Sequence, residues 1–105
     1  MPQFDVYSNP SRITKEAYPY LVDIQNEVID ELATRLVVPL TAVSMKPAMF
    51  MKKLTPEINF DGRNYMFMTQ QLTSIPKEKL KDPVGTLKSA RELLIDAIDF
   101  AITGI

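Results

Sequence analysis

The chain has 105 residues and a formal net charge of −1 at neutral pH, from 12 basic and 13 acidic side chains. This near balance argues against a protein that binds nucleic acid through a broad basic field. The chain contains no cysteine and no histidine, which excludes disulfides and thiol nucleophiles and removes the commonest general base and zinc ligand. The length predicts a single domain, residues 1–105, and we expect neither a metal nor a cofactor.

The sequence carries no signal for export or membrane insertion. No apolar run approaches the roughly 18 residues that span a bilayer, and Met1–Asp5 lacks the basic and apolar regions of a signal peptide. We therefore expect a soluble cytoplasmic protein. Hydrophobic residues make up 46% of the chain, which is enough for a modest core. Association into a homodimer would bury more apolar surface.

Two segments near the start predict short strands. Gln3–Tyr7 alternates between apolar and polar side chains, which is typical of a half-buried strand. A turn-forming stretch rich in serine, asparagine and proline follows it. Tyr18–Gln25 predicts a second strand, with Tyr20, Val22 and Ile24 on one face.

The middle of the chain combines one clear strand with two irregular connections. Arg35–Leu40 is apolar on both faces, which predicts a central strand. Pro39 within it lacks an N–H group and should lie at an edge or a bulge. The connection before it, residues 26–34, is polar and could also hold a short helix. The connection after it, residues 41–56, is either a loose loop that fills one end of the core with adaptable methionines or a mildly basic surface for an acidic segment of a partner.

The second half predicts a hairpin and a closing helix. Glu57–Thr69 has the alternation of two strands around Asp61-Gly62, a strong hairpin turn signal. Leu72–Pro76 predicts a further short extended segment, and a charged connection follows it. Several short strands with tight turns predict a small barrel or sandwich. With a terminal helix packed on it, the domain is mostly β, in the all-β or α+β class.

The last helix, within Leu93–Ile105, is apolar around most of its circumference. Its only polar side chains before the terminal glycine are Asp96, Asp99 and Thr103, which fall within an arc of roughly 60° on a helical wheel. Such a helix needs cover on more than one side, so we expect its own domain to cover one side and a second chain to cover another. Gly104 is well placed to end the helix in a left-handed cap.

Both ends of this helix carry further signals. Asp96 and Asp99 lie near the negative end of the helix dipole, where both are locally unfavourable. Either a lysine or arginine of the same domain neutralises them, or an external cation docks there. At the other end, Thr86 or Ser89 can cap the helix, and Ser89 with Glu92 has the spacing of a capping box.

Sequence motifs for catalysis are missing. Three glycines do not make a Gly-rich phosphate loop, and there is no nucleophile elbow or carboxylate dyad. Arg35 with Thr34 or Thr41 could form an RNA-cleaving pair, but that pattern is too common to carry weight. Composition and spacing alone therefore predict a small dimeric interaction domain rather than an enzyme.

Three blocks of sequence together carry a family pattern. They are Tyr18–Gln25 with Val28–Asp30 and Thr34–Leu40, then Tyr65–Thr69 with Thr73–Pro76, and last Ala97–Ile105. In these blocks the chain closely resembles the CcdB toxin family. The resemblance covers nearly the full length and is weakest at Lys46–Lys53.

This resemblance implies a fold, a function and partners. Members of the family are homodimers of an SH3-like barrel of antiparallel strands with a C-terminal α-helix. They are not enzymes: they bind the A subunit of DNA gyrase and trap gyrase on cleaved DNA, as topoisomerase inhibitors. A labile antitoxin of the CcdA type neutralises them through a disordered acidic segment. Toxin and antitoxin together repress their own operon, and the antitoxin supplies the DNA contacts.

The family's gyrase-binding positions fall on two parts of this chain. The best-known member has a Phe-Trp pair where this chain has Ile102-Thr103, and that tryptophan stacks on an arginine of gyrase. Its loss would cost on the order of 1–2 kcal/mol. We expect Asp99, with the terminal carboxylate, to hold the arginine by charge instead. The implied gyrase site comprises Val28, Ile29, Asp99, Ile102, Thr103, Gly104 and Ile105.

The antitoxin is expected to cover the loop after the first strand, the connection rich in methionine and lysine, and part of the terminal helix. Two other functions stay open. One is an endoribonuclease of the MazF type, which shares the barrel, and the other is a degenerate family member that acts only in operon regulation. The implied antitoxin-binding residues are Asn9, Ser11, Arg12, Lys46, Lys52 and Lys53.

Overall fold

The computed structural model describes residues 2–26, 32–42 and 53–104. Within these ranges the chain forms seven strands and a C-terminal α-helix. The predictions for residues 27–31 and 43–52 lie outside the described residues. The strands are β1 (Asp5–Ser8), β2 (Tyr20–Asp23), β3 (Thr34–Ala42), β4 (Glu57–Phe60), β5 (Arg63–Phe67), β6 (Thr73–Pro76) and β7 (Gly85–Thr86), and the helix is α1 (Arg91–Thr103).

The strands form one curled antiparallel sheet, a half-barrel, in the order β4–β5–β3–β2–β1–β7. β3 is the central strand, as predicted. β2 pairs with one of its edges, whereas β6 and β5 share the other, β6 along Thr34–Val37 and β5 along Leu40–Ala42. This change of partner along a single strand curls the sheet. The predicted class, mostly β with a C-terminal helix, is confirmed, and the architecture is consistent with an SH3-like barrel.

Pro39 lies at the point where β3 changes partner. Its carbonyl accepts a hydrogen bond from the N–H of Met68 at 3.0 Å, on the edge that β5 and β6 share. The nitrogen of Pro39 faces the same way, into the gap between these two strands, so its missing N–H removes no ladder bond. The predicted edge or bulge is therefore replaced by a junction between two partners of an internal strand.

β1 begins later than predicted and is buried on both faces. Phe4 has a φ of 70°, a left-handed conformation that interrupts the extended chain before Asp5. Val6 faces the main core, whereas Tyr7 faces a second, smaller cluster. The alternation within Gln3–Tyr7 therefore reflects two covered faces, and the prediction of a half-buried strand was wrong.

The hairpin of β4 and β5 forms as predicted. Asp61 and Gly62 both have positive φ, 53° and 81°, as a two-residue type I′ turn requires. Ile58 and Phe60 point into the core, and Asn59 between them is exposed. This hairpin forms the first two strands of the sheet order.

Two apolar clusters hold the sheet. The main core lies between the sheet and α1, which contributes the fully buried Leu94 and Ala97. Tyr20, Val22 and Ile24 of the β2 segment pack into it, as predicted. The second cluster comprises Tyr7, Leu21, Val37 and Leu80, with Ile75 against it.

The two ends of α1 match the sequence differently. Gly104 caps the C-terminus with a φ of 74°, and its N–H donates to the carbonyl of Phe100 at 2.9 Å, as predicted. The N-cap position is Ala90, without a side-chain hydrogen bond, so the predicted capping box of Ser89 was wrong. A single 3₁₀ turn precedes the helix, and the Thr86 hydroxyl accepts a hydrogen bond from the N–H of Lys88 in that turn.

Candidate partner-binding site on the terminal helix

Helix α1 leaves apolar side chains uncovered in its first turn and in its last. Leu94 and Ala97 face the core, but Ile102 is 73% exposed and Leu93 is 47% exposed. Ala101 is exposed as well. The domain therefore covers one side of this helix, as predicted, and cover of another side by a second chain stays a prediction.

Two carboxylates lie next to this uncovered surface. Asp96 and Asp99 are both exposed, and no described residue forms an ion pair with either of them. Asp99 lies near the helix C-terminus, where the dipole is also negative, and Asp96 lies about one turn earlier. Because Lys46 and Lys52 lie outside the described residues, both interpretations left open by the sequence stay predictions.

A cation nevertheless approaches this end of the helix. The Nζ atom of Lys53 lies 5.2 Å from the centroid of the Phe100 ring, within the range of a cation–π contact. The face of that ring is thus accessible to a positively charged group. The helix end combines an aromatic face, the exposed carboxylate of Asp99 and the apolar side chain of Ile102, a surface that suits a partner's cation flanked by apolar contacts.

Thr103 and Gly104 shape the end of this surface. The Thr103 hydroxyl donates a hydrogen bond to the carbonyl oxygen of Asp99 at 2.7 Å. This side-chain bond adds to the hydrogen bonding of the last turn of the helix. Gly104 turns the chain away in a left-handed conformation. These two residues therefore have a clear role in ending the helix next to Ile102.

The structure brings together only part of the site that the sequence implied for gyrase. Asp99, Ile102, Thr103 and Gly104 share the final turn of α1 and its cap, and Asp99 and Ile102 are exposed there. Their role in binding gyrase stays a prediction. Val28, Ile29 and Ile105 lie outside the described residues.

The residues that the sequence assigned to the antitoxin are dispersed. Ser11 and Arg12 lie in the loop after β1, whereas Lys53 lies over Phe100 of the terminal helix. Asn9 is only 5% exposed. Lys46 and Lys52 lie outside the described residues, and the assignment of the whole set stays a prediction.

Asn9 organises the loop after β1. Its amide nitrogen donates to the Thr14 hydroxyl at 3.0 Å and to the carbonyl of Tyr18 at 2.8 Å, and its side-chain oxygen accepts from the N–H of Ser11 at 2.9 Å. The Asn-Pro-Ser sequence is a turn signal, but the sequence alone did not show that one side chain closes both ends of the loop. Asn9 thus positions its neighbours.

A buried ion pair lies at the end of β2, and sequence reasoning missed it. Nε and Nη2 of Arg35 lie 2.9 Å and 2.8 Å from one carboxylate oxygen of Asp23, and both side chains are fully buried. The backbone N–H of Gln25 donates to the other oxygen at 2.9 Å. Burial raises the pKa of the Asp23 carboxyl above its ordinary value, and the hydrogen bonds from Gln25 and Arg35 partly offset that rise.

This ion pair rules out the RNA-cleaving pair of Arg35 with Thr34 or Thr41 that the sequence suggested. The guanidinium of Arg35 is inaccessible to a phosphate, because it is enclosed with Asp23. The hydroxyl of Thr41 donates to the carbonyl of Ala17 at 2.8 Å. Neither Arg35 with Thr34 nor Arg35 with Thr41 can therefore act on a substrate at the surface.

The described ranges contain neither a cluster of metal ligands nor a helix that could cross a membrane. Residues 2–26, 32–42 and 53–104 contain no group of three or more carboxylates placed to hold a metal ion. Over the same residues, α1 is too short and too polar to cross a membrane.

Comparisons with known proteins agree with this architecture. Two solved structures superpose on nearly the whole chain. The toxin MazF-mt6 of Mycobacterium tuberculosis is 17% identical, with a TM-score of 0.68 and 96% of each chain covered. An endoribonuclease in complex with its cognate antitoxin, from a mycobacterial species, is 14% identical, with a TM-score of 0.72, 97% of this chain covered and 95% of that one. At these identities the likeness shows the fold alone.

A comparison with protein families identifies the chain more closely. The model of the CcdB protein family matches residues 3–104. This match includes the helix end described above and all seven strands. The chain therefore belongs to the CcdB family, a family of toxins from toxin–antitoxin systems.

Proposed function

We propose that this protein is a homodimeric toxin that binds the A subunit of DNA gyrase and traps gyrase on cleaved DNA. One observation carries the proposal: the end of α1 exposes Ile102 next to the carboxylate of Asp99, which has no ion-pair partner among the described residues. These are positions that the family resemblance assigns to gyrase. An uncovered apolar and acidic surface suits an arginine flanked by apolar contacts on a partner.

The missing tryptophan has a physical substitute at this site. Asp99 supplies charge, and the face of the Phe100 ring already accepts the ammonium group of Lys53. A charged hydrogen bond to an arginine contributes about 1.5–3 kcal/mol, which is comparable to the lost cation–π contact. Asp99 therefore holds the gyrase arginine in place of the aromatic stack.

The proposed action is binding rather than catalysis. The arginine that the sequence offered for RNA chemistry is enclosed with Asp23. Among the described residues, no other arginine and threonine stand out as a candidate RNA-cleaving pair. A toxin that poisons gyrase needs only a surface, because the chemistry of DNA cleavage belongs to gyrase.

The proposed partners of the toxin also include an antitoxin of the CcdA type. This antitoxin would neutralise the toxin, and the two proteins together would repress their operon, with the antitoxin contacting operator DNA. The net charge of −1 supports this division, because the toxin itself lacks the basic field that DNA binding requires.

A gyrase assay with a truncated chain tests the proposal. Purified protein is added to supercoiling and DNA-cleavage reactions, next to a variant that lacks residues 103–105. The full chain is expected to accumulate cleaved DNA, and the truncated chain is not. If neither acts on gyrase while both bind antitoxin, the protein is a family member that serves only in regulation.

The alternative function is RNA cleavage. One of the structural neighbours is named as an endoribonuclease. The same preparations are incubated with single-stranded RNA in the absence of ribosomes. Cleavage that persists in the double variant Asp23→Leu with Arg35→Met, which replaces the buried pair by apolar side chains, would point to a catalytic site other than the one the sequence suggested. Intact RNA leaves the gyrase proposal in place.

A further inference from the structure

A set of side-chain contacts joins the N-terminal turn of the chain to the first residue of α1. Nη1 of Arg91 donates a hydrogen bond to the side-chain oxygen of Gln3 at 3.1 Å. The side-chain nitrogen of Gln3 donates in turn to the carbonyl of Ile24, just after β2, at 3.0 Å. The guanidinium carbon of Arg91 also lies 5.9 Å from the centroid of the Phe4 ring, within the range of a cation–π contact. The contact of Arg91 with Gln3 and Phe4 is called the clamp below.

The turn that carries Gln3 is itself firmly held. The N–H of Asp5 donates to the carbonyl of Pro2 at 3.3 Å, which closes a four-residue turn, and Phe4 occupies its third position with a φ of 70°. Glycine is the usual residue at a turn position with positive φ, and a bulky residue persists there only where its surroundings fix it. Here the Phe4 ring is buried in the main core, and its N–H donates to the carbonyl of Asp23. The turn is therefore a firm base for the clamp.

Arg91 lies on the face of α1 that ends in Ile102. Ile95 and Ile98 lie between them along the helix, and all four residues fall within about 60° of one another on a helical wheel. Ile95 and Ile98 pack against the main core, whereas Ile102 is exposed beyond it. Within the described ranges, Arg91 is the one residue of α1 whose side chain forms a hydrogen bond outside the helix. The clamp therefore acts at the opposite end of this face from Ile102.

This position lets the clamp control the direction of the helix. Leu94 and Ala97 hold the middle of α1 in the core, and Arg91 and Ile102 lie on either side of that anchor. Since a helix rises about 1.5 Å per residue, Ile102 lies roughly 10 Å beyond the anchor, and a tilt of roughly 10° would move it by about 1.7 Å. A binding site that is loose by about 1 Å loses much of its function. The clamp opposes such a tilt from the other end of the helix.

We propose that Gln3 and Arg91 are positioning residues for gyrase binding. Through the clamp they fix the tilt of α1, so that Asp99 and Ile102 are presented to the partner in one orientation. A surface that is fixed before binding loses less conformational freedom when the partner arrives, and neither Gln3 nor Arg91 needs to touch gyrase. This inference rests on the gyrase binding proposed above and concerns residues outside the site that the family resemblance implies.

Removal of either half of the clamp tests the inference. Affinity for an immobilised gyrase A fragment is measured by surface plasmon resonance for the parent, Arg91→Met, Gln3→Met and the double variant. Each single variant is expected to bind roughly 3- to 10-fold more weakly, and the double variant no more weakly than the weaker single one, because the effects of residues in direct contact are not additive. Losses that multiply in the double variant, or parent affinity in both single variants, would overturn the inference.

Lys88→Met is the matched control for Arg91→Met. Lys88 is exposed in the turn that precedes α1, so this substitution removes the same charge from the same end of the helix. It should change affinity by less than about twofold, because a surface substitution away from a specific contact has little effect. A loss as large as that of Arg91→Met would show that charge, and not the clamp, is responsible, and would overturn the inference.

Methyl NMR tests the positioning without gyrase. The δ1-methyl signal of Ile102 is expected to shift in Arg91→Met and in Gln3→Met, because a change of tilt alters its surroundings, and to stay in place in Lys88→Met. Since Ile102 lies about 16 Å from Arg91 along the helix, the shift would report a movement of the helix and not direct contact. An unchanged signal in both clamp variants would overturn the inference. Failure of the parent to bind the gyrase fragment would overturn the proposed function instead, and the Ile102 signal would still decide whether the clamp controls the helix.

Discussion

At the scale of single residues, Asp99 and Asp23 show two opposite fates of a carboxylate in this fold. Asp99 is exposed at the negative end of a helix with no described partner, whereas Asp23 is fully buried and paired with Arg35. The first arrangement is locally unfavourable at the negative end of the helix dipole, and a cation that docks there would offset the cost. The second is an internal requirement of the fold.

Asp99→Asn should weaken binding to the gyrase A subunit by roughly 5- to 10-fold. The change keeps the size of the side chain but removes the charge that is proposed to hold the arginine, and a charged hydrogen bond is stronger than a neutral one. Surface plasmon resonance with an immobilised gyrase A fragment measures it. Asp96→Asn, one turn earlier on the same helix, is the control. Equal affinity of the parent and Asp99→Asn would contradict the charge-based mechanism.

Asp23→Asn should lower the free energy of unfolding by about 3–5 kcal/mol, because it leaves the buried guanidinium of Arg35 without its counter-ion. Urea denaturation followed by circular dichroism measures the loss. The double variant Asp23→Leu with Arg35→Met should recover most of it, since two apolar side chains of similar volume can replace a buried pair. A single variant as stable as the parent would show that the pair is dispensable.

At the scale of elements, the sheet depends on a close approach between β4 and β7. A Cβ atom built on Gly85 would lie only 2.5 Å from a ring carbon of Phe60. The two-residue β7 therefore needs glycine to pass over this ring. This contact connects the last strand of the sheet order to the first and helps to close the half-barrel.

Gly85→Ala should lower the free energy of unfolding by about 1–3 kcal/mol, the usual cost of overpacking a core. Thermal unfolding measures the change. In a Phe60→Leu background, where the ring is absent, the same substitution should cost much less. Equal costs in the two backgrounds would show that Phe60 is not what excludes a side chain at this position.

Elements with strong local signals were predictable, and elements defined by their neighbours were not. The type I′ hairpin at Asp61-Gly62, the central strand β3 and the Gly104 cap follow from local sequence. The junction at Pro39 and the doubly covered β1 depend on which strands lie alongside, and alternation alone does not reveal that. The capping box failed because the 3₁₀ turn at Lys88–Ala90 places the N-cap at Ala90 instead of Ser89.

At the scale of the whole molecule, the acidic and apolar end of α1 is the surface proposed to meet a partner. The sequence predicted this surface, because helical periodicity exposes a mismatch between apolar and polar faces. It did not predict the Arg35–Asp23 pair, because the pairing of β2 with β3 brings these two side chains together.

The uncovered face of α1 also predicts self-association. Leu93 is 47% exposed, so we expect a homodimer in which a second chain covers part of this helix. Sedimentation equilibrium of the purified protein at micromolar concentration should give twice the monomer mass. A monomer over the whole concentration range would contradict the expected dimer, and the exposed face would then be available to other partners.

The most direct test of the central claim compares two exposed isoleucines in a gyrase DNA-cleavage assay. Ile102 is 73% exposed at the end of α1, and Ile13 is 93% exposed in the loop between β1 and β2. A glutamate at either position should fold normally, because neither side chain contributes to the core. Ile102→Glu should reduce trapped cleaved DNA by at least about tenfold, because a carboxylate is costly to bury in an apolar contact, whereas Ile13→Glu should poison gyrase like the parent. If Ile102→Glu traps cleaved DNA as efficiently as the parent, the helix end is not the gyrase-binding site.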